Sequence, residues 1–422
     1  MKISNRTLIR EVDKCRVCGS SELEEVLSLG EQYVTDFVAE DTRRGLRGPL
    51  VLVMCDKAKG GCGLIQLKHT FNHDALYRQY WYKSGISVTM VKALADIVTK
   101  AETLIKLNAG DIVLDIGAND GTLLKQYVNK KLMKVGFEPS NLWELALQEN
   151  TKIMHDYFGY KSFAKEFGRK KAKIITSIAM FYDLDDPNSF VSDVKRCLAK
   201  DGVWIVQMNY LGLMLENNTF DNISHEHLEY YSLKTLETLL KKHHLEAFDI
   251  EINDVNGGSF RVYIRHIGSS LKGSQGSNER IQKQRHYEIV KRLDEKETYL
   301  EFARRISIIK KNLNTFLQTE NAKGKKIFVY GASTRGSVVL QFAQIDYPLI
   351  KAATDKNPDK WGKYIVGTRI KIVPLEEYRK ERPDYLFVLP YQFISEIKDQ
   401  EKSFAENGGK FVVSIPKVTI IL

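Results

Sequence analysis

Long apolar runs are the first thing this 422-residue sequence lacks: no stretch approaches the roughly 18 to 20 apolar residues needed to span a bilayer. The opening, MKISNRTLIR, has no apolar segment of signal-peptide length behind its basic residues. Both absences predict a cytoplasmic protein with no membrane role. Cysteine is sparse too, five residues in all, too few for a disulfide scaffold. Uninterrupted basic tracts are missing as well. The formal charge of +10 comes from lysines and arginines interleaved with acids, as in EKETYLEFARR, and runs such as Arg169-Lys170-Lys171 are short. A nucleic-acid surface calls for a basic stripe with interleaved aromatics. The aromatic cluster ALYRQYWYKSG holds only two basic residues, so no nucleic-acid partner is expected. An anionic small molecule suits such a surface better. Tandem repeats and low-complexity tracts are also absent.

What is present is an α/β pattern. The runs IVLDI, KVGFE, KIIT and GVWIVQM alternate with helical stretches, which predicts a parallel sheet with crossover helices. EAFDIEIND, the turn Asn256-Gly257-Gly258 and SFRVYIRHI then read as an antiparallel hairpin. Residues 268–281 are rich in Gly and Ser and read as a linker, followed by a long charged amphipathic helix to about residue 320. KKIFVYGA, LIKAATD, DYLFVLP and KFVVSIP form a second, smaller α/β unit.

Three motifs carry chemistry. In VLDIGANDGTLL, Asp115 ends an apolar strand, and Gly117 and Gly121 occupy the strand-to-helix turn. Glycines there let the backbone approach a ligand, and a helix opening at about Thr122 offers free N–H groups to an anion. Roughly twenty residues on, KVGFEPSN ends a second strand with Glu138, placed to accept both ribose hydroxyl protons. The pattern is not the dinucleotide fingerprint G-x-G-x-x-G. It is similar to motif I of class I (Rossmann-like) methyltransferases, which bind S-adenosylmethionine.

The second motif is a cysteine quartet. Cys15 and Cys18 form a knuckle, and Cys55 and Cys62 supply two further thiolates. Four thiolates close a tetrahedral Zn²⁺ site with no open position, so the metal is expected to be structural. The second spacing is wide, so part of DKAKGGC must loop out. Alternatives are four unligated thiols, or His69 replacing one ligand. The third motif is His225-Glu226-His227, at the carboxyl end of the sheet and followed by Tyr230 and Tyr231. This is not H-E-x-x-H, so no catalytic metal is expected. A neutral imidazole beside a carboxylate is a general base at pH 7, and a helix cap or surface cluster is the plainer reading.

The order of motifs resembles a family. A Cys-pair domain precedes Y-x-Y-x-S-G and D-I-G-x-N-D-G-T-L-L. F-D-x-I-x-H-E-H-x-x-Y-Y-S, N-G-G-S-F-R-V-Y, Y-G-A-S-x-R-G, D-x-N-P-x-K and R-P-D-Y follow. The chain resembles the three-domain C-methyltransferases of nucleotide-activated deoxysugars. That resemblance implies a zinc-binding domain over 1–70, a class I methyltransferase domain over 71–268, a linker and long helix over 269–320, and a C-terminal Rossmann-like α/β domain over 321–422. It implies S-adenosylmethionine bound by Asp115, Gly117, Asn119, Gly121, Glu138 and Pro139. His227, supported by Glu226 and with His225 completing the run, would make an enolate, and Tyr80 or Tyr82 would reach the substrate. The substrate would be a nucleotide-linked 4-keto-6-deoxysugar, methylated at carbon 3 and held by Asp183, Ser224, Arg261, Ser333 and Arg335. Two of these residues depart from the family: histidine often stands at the place of Asp183, and tyrosine at that of Ser224. An O-methyltransferase, or a methyltransferase of another small anion, is the alternative. A zinc-knuckle nucleic-acid binder with a vestigial methyltransferase domain is a further one. Ser333 replaces the middle glycine of a dinucleotide fingerprint, so no redox role is expected of the last unit. The protein is expected to be a monomer or a homodimer.

Overall fold

Ile112–Ile116 is buried at every position, and Ala172–Ile178 and Leu198–Asn209 nearly so. Apolar runs without alternation form strands covered on both faces. In the computed structural model, which describes residues 9–40, 45–77 and 80–422, these strands make the centre of one sheet. Residues 1–8 of the basic opening lie outside the described residues. The sheet runs Leu245–Asn253, Ser259–His266, Leu198–Asn209, Ala172–Ile178, Ile112–Ile116, Met133–Phe137, Thr151–Met154. Ser259–His266 is antiparallel to both neighbours, whereas the pairs from Leu198–Asn209 to Thr151–Met154 are parallel. The chain order reverses between Ile112–Ile116 and Ala172–Ile178, the switch point beside which open α/β sheets bind ligands.

Helices cover both faces. Val88–Leu104 starts at Ser87, whose hydroxyl accepts the Met90 N–H, and it buries Leu94, Ile97 and Val98 against Val113, Ile174 and Ile205. Each such side chain contributes about 1.5 to 3 kcal/mol, enough to hold one stripe down while the charged face stays in water. On the other face Pro187–Cys197 opens with its proline in the first turn and the Asp186 carboxylate on the Ser189 N–H, and Cys197 ends it buried.

Of three shorter sheets, two join the units. Glu229–Tyr230, just after the His-Glu-His run, adds to Ile65–Leu67 at the edge of an N-terminal sheet that continues through Arg47–Cys55 and Leu23–Tyr33. Ile9–Glu11 pairs with His69–Phe71, and Phe37–Val38 pairs with Tyr364–Ile365 of the last unit. That last unit is a six-stranded sheet around Ile327–Tyr330 and Tyr385–Val388.

The stretch read as a linker is shorter than its composition suggests. Ser277–Val290 is already helical, and a break at residues 291–295 separates it from Lys296–Ala322. Buried Glu288 explains why the first helix is not free. Its carboxylate accepts the N–H groups of Leu233 (2.6 Å) and Lys234 (3.0 Å) and the Tyr210 hydroxyl (2.9 Å). Among the described residues no helix is long and apolar enough to cross a membrane.

Candidate active site

After Ile116 the chain must leave the strand and enter the helix Thr122–Lys125 within a few residues. It does so through left-handed backbone at Gly117 (φ 75°), Asn119 (φ 52°) and Gly121 (φ 74°). A Cβ on Gly121 would lie 2.9 Å from the Ala146 Cα, and one on Gly117 would lie 3.1 Å from the Met180 side chain. The loop is therefore tight on the protein side and open on the other. Asp115 accepts the Thr176 hydroxyl at 2.6 Å. Burial raises its carboxyl to about 7 against that hydrogen bond, and the Glu138 charge adds to the rise. Glu138 is fixed by the N–H groups of Asn119 (2.7 Å) and Ser140 (2.9 Å). Asp115, Gly117, Asn119, Glu138 and Pro139 all line one large cleft, whereas Gly121 turns the chain behind it.

The Asn119 side chain does a second job. Its Oδ1 accepts the Ser84 N–H (3.0 Å) and its Nδ2 donates to the Tyr82 carbonyl (3.0 Å), while Asp120 accepts the Gly85 N–H (2.8 Å). The glycine loop thus carries the aromatic segment across the mouth of the cleft. Tyr80 and Tyr82 both line it, Tyr82 being 38% exposed. Sequence reading gave Asn119 to the cofactor alone and did not single out Asp120.

The His-Glu-His run splits by side-chain direction. Glu226 and His227 line the cleft. The His227 Nδ1 lies 2.7 Å from the Asn222 carbonyl. A carbonyl only accepts, so Nδ1 carries the hydrogen and Nε2 keeps the lone pair. The ring rests on Tyr182, with centroids 4.4 Å apart. Burial, and with it Arg335, lowers His227 to about 4 against the pull of the Asn222 carbonyl. Burial alone raises Glu226 to about 7.

His225 does not line the cleft and is only 4% exposed. Its Nε2 donates to the Gly48 carbonyl at 3.0 Å, and its ring meets Phe71 edge-on. It packs against the N-terminal sheet, away from any reacting atom. Three further residues, Tyr77, Tyr182 and Lys360, were not singled out from sequence. Tyr77 donates to the Glu226 carbonyl at 2.8 Å, and Lys360 donates to the Ala332 carbonyl at 2.8 Å.

The residues expected to hold a substrate divide in the same way. Asp183 lines the cleft with a buried Oδ1 that has no partner among the described residues. Ser333 and Arg335 line its far wall. Ser333 caps the helix Thr334–Ala343 through the Gly336 N–H. Arg335 is engaged with Asp221 (2.7 Å), the Asn256 carbonyl (2.5 Å) and the Tyr391 hydroxyl (3.1 Å), which fixes the last unit against the sheet. Arg261 and Ser224 do not line the cleft. The sheet register sets Arg261 opposite Gln207, to which it donates at 2.8 Å, and its Nη1 holds Asp96 at 2.8 Å. Ser224 is 5% exposed, and its carbonyl accepts the His227 N–H within the turn. The cleft measures about 690 Å³.

The four cysteines converge. Their sulfurs lie within 4.8 Å of one another, with Cys15–Cys62 and Cys18–Cys55 both at 3.5 Å. Zinc–sulfur bonds of about 2.3 Å put tetrahedral sulfurs about 3.8 Å apart, so the quartet fits one ion. The wide second spacing is absorbed by a one-turn helix, Lys57–Lys59, capped by Asp56, and Gly61 admits the Cys55 sulfur where a Cβ would lie 2.6 Å from it. His69 is no part of the quartet. Crowding keeps the four from ionising alike. The Cys55 thiolate, accepting from Cys15 and Cys62, is held well below the usual thiol range, while Cys15 is pushed above it.

Three family models cover nearly the whole chain: a zinc binding domain over residues 15–77, a methyltransferase domain over 89–248, and a C-methyltransferase C-terminal domain over 254–416. The C-methyltransferase NovU of Streptomyces niveus is 30% identical over 424 residues, 98% of each chain. The mitomycin 7-O-methyltransferase MmcR is 15% identical with a TM-score of 0.34, covering 43% of this chain and 55% of that one. The plantazolicin methyltransferase BpumL in complex with SAH is 12% identical with a TM-score of 0.33, covering 41% of this chain and 82% of that one.

Proposed function

This chain belongs to the C-methyltransferase family and is S-adenosylmethionine-dependent, and from that premise we propose its substrate and mechanism. The substrate is a nucleotide-linked 4-keto-6-deoxysugar, methylated at carbon 3, next to the ketone. One observation carries this reading. A single cleft joins the glycine loop and Glu138, the base candidate His227, and the Gly331–Arg335 turn of the last unit with Lys356 and Lys360 beside it. Such a cleft accepts a long ligand, with its reacting end near the cofactor loop and its anionic end against basic groups and a helix N-terminus.

Glu138 and Asp115 would hold the ribose and amino-acid ends of S-adenosylmethionine, and the open side of the Gly117 turn leaves room for it. The bound cofactor supplies an electrophilic methyl group on a sulfonium. The protein supplies the nucleophile. His227 Nε2 removes the proton next to the ketone, and the Asn222 carbonyl holds the imidazole in the accepting tautomer. Glu226 beside it helps to set the field, and Tyr80 and Tyr82 close the mouth over the sugar. Incubating the protein with S-adenosylmethionine and a panel of nucleotide 4-keto-sugars should give one product heavier by one methyl, with the new carbon bond visible by NMR. A methyl found on oxygen instead would favour the O-methyltransferase alternative, and no gain with any sugar would remove the substrate class.

A further inference from the structure

Asp183 lines the cleft with a side-chain oxygen that no described residue binds. It ends a short turn, Phe181–Asp183, at the carboxyl end of Ala172–Ile178, and its own N–H is used on the Met180 carbonyl. The preceding residue, Tyr182, touches the His227 ring and accepts the Leu228 N–H at 2.8 Å, so the turn and the base segment form one rigid wall. Asp183 Oδ1 is buried on that wall without a partner among the described residues, and Glu226 and His227 line the same cleft.

The charged surroundings decide its form. Facing it are the carboxylates of Glu226 and Glu229 and the phenols of Tyr77, Tyr80, Tyr182 and Tyr230. Two cations that act on its neighbours Tyr182 and Tyr230 are committed elsewhere: Arg335 to Asp221 at 2.7 Å, and Arg16 to Asp185 and Glu229 at 3.6 Å. An ionised carboxylate here would set a partly buried charge beside other acids with no cation paired to it among the described residues, which is unfavourable. Burial, then Glu226 and Glu229, accordingly push Asp183 well above the usual carboxylate range.

We propose that Asp183 works as a neutral carboxylic acid whose O–H donates to the ketone oxygen of the substrate and stabilises the enolate that His227 generates. The proposal rests on the enolate reading above. In the step, the C–H bond breaks and its proton goes to His227 Nε2. The electron pair forms the carbon–carbon double bond, and the carbonyl π pair moves to the oxygen, which takes the Asp183 hydrogen bond. As the new carbon–carbon bond forms, the methyl group's old bonding pair stays on sulfur and the ketone is restored. Asp183 keeps its proton, and the base releases its own to solvent. A donor aimed at developing oxyanion charge in a dry site is worth about 10² to 10³ in rate.

Exchange of the substrate proton with deuterated solvent, in the presence of S-adenosylhomocysteine, isolates this step from methyl transfer. Asp183→Leu should slow exchange about 10²- to 10³-fold while calorimetry shows S-adenosylhomocysteine still bound. Asp183→Asn keeps a donor and should slow it about tenfold or less. The wild-type rate should fall on the alkaline side as the acid ionises. That fall should vanish in Asp183→Asn and move to lower pH in Glu226→Gln, which removes the neighbouring charge that disfavours ionisation. Wild-type exchange in Asp183→Leu, or an alkaline fall that persists in Asp183→Asn, overturns the proposal alone. A wild-type enzyme that exchanges no proton of any 4-keto-sugar overturns the enolate reading, and the proposal with it. If Asp183→Leu does not fold, the pH profile of Asp183→Asn decides.

Discussion

His225 and His227 sit two residues apart, on opposite sides of one short segment. His227 faces the cleft, with its Nδ1 on the Asn222 carbonyl and its Nε2 available. His225 faces the N-terminal sheet, with its Nε2 on the Gly48 carbonyl. Both are held at about 4 by burial. The two therefore share residue type, neighbourhood and protonation state, and differ in what their free nitrogen can reach. The difference shows how this molecule builds its site. The segment is anchored to the zinc unit on both sides of His227, by His225 before it and by Glu229–Tyr230 pairing with Ile65–Leu67 after it, so that the base between them is held in place. Arg16, lying between the knuckle cysteines, strengthens the anchor by donating to the Leu67 carbonyl.

The hardest way to break the comparison is to remove the metal. Structural zinc contributes about 10 to 16 kcal/mol in zinc-finger peptides, so a strong chelator should unfold the N-terminal unit. Metal analysis should give one zinc per chain, and circular dichroism should show loss of that unit's strands together with loss of turnover. A protein that keeps full order and activity without metal would detach the anchor from the zinc.

Next in size is the cleft-facing histidine. His227→Asn should lower turnover about 10²- to 10⁴-fold, the usual cost of losing a general base, with S-adenosylmethionine affinity unchanged by calorimetry. His225→Asn should do the reverse. It loses a buried hydrogen bond and an edge-on ring contact, about 1 to 3 kcal/mol of stability, while the folded fraction turns over near the wild-type rate. Equal activity losses in both variants would erase the distinction.

Protonation sets a smaller, pH-dependent difference. Both imidazoles have folded values of about 4, below their ordinary 6.5. The unfolded chain therefore takes up these protons first, and the stability they confer is present above about pH 6.5 and is lost progressively towards pH 4. Thermal melts of the wild type should fall over that window, and the fall should be shallower in His225→Asn.

Much of this was legible beforehand, because it rests on local pattern. The glycine loop, its distal acid Glu138, the cysteine quartet and the alternation of strands and helices follow from spacing and apolar runs. The facing of side chains does not. Nothing in the letters F-D-N-I-S-H-E-H separates His225 from His227, since the strand that follows is only two residues long and pairs with a distant segment. Arg261 likewise reads as a basic group near a ligand. Only the register opposite Gln207 turns it into an internal brace to Asp96. Asn119 was assigned by motif, and its grip on the aromatic segment depends on a contact 37 residues away in the chain.

The least intrusive test reads the two tautomers directly. Each histidine faces a carbonyl, which accepts and never donates, so each facing nitrogen must carry the hydrogen. His227 must then be the Nδ1–H form and His225 the Nε2–H form. Long-range proton–nitrogen spectra of protein labelled at histidine distinguish the two, and the single variants assign the peaks. The two patterns should be opposite and should hold unchanged from about pH 8 to 5.5, where an exposed imidazole with a value near 6.5 would titrate. The test is sharp on the side that matters for chemistry. A proton on His227 Nε2 at neutral pH would leave no lone pair facing the cleft, and this histidine could not be the base, however well the rest of the site fits.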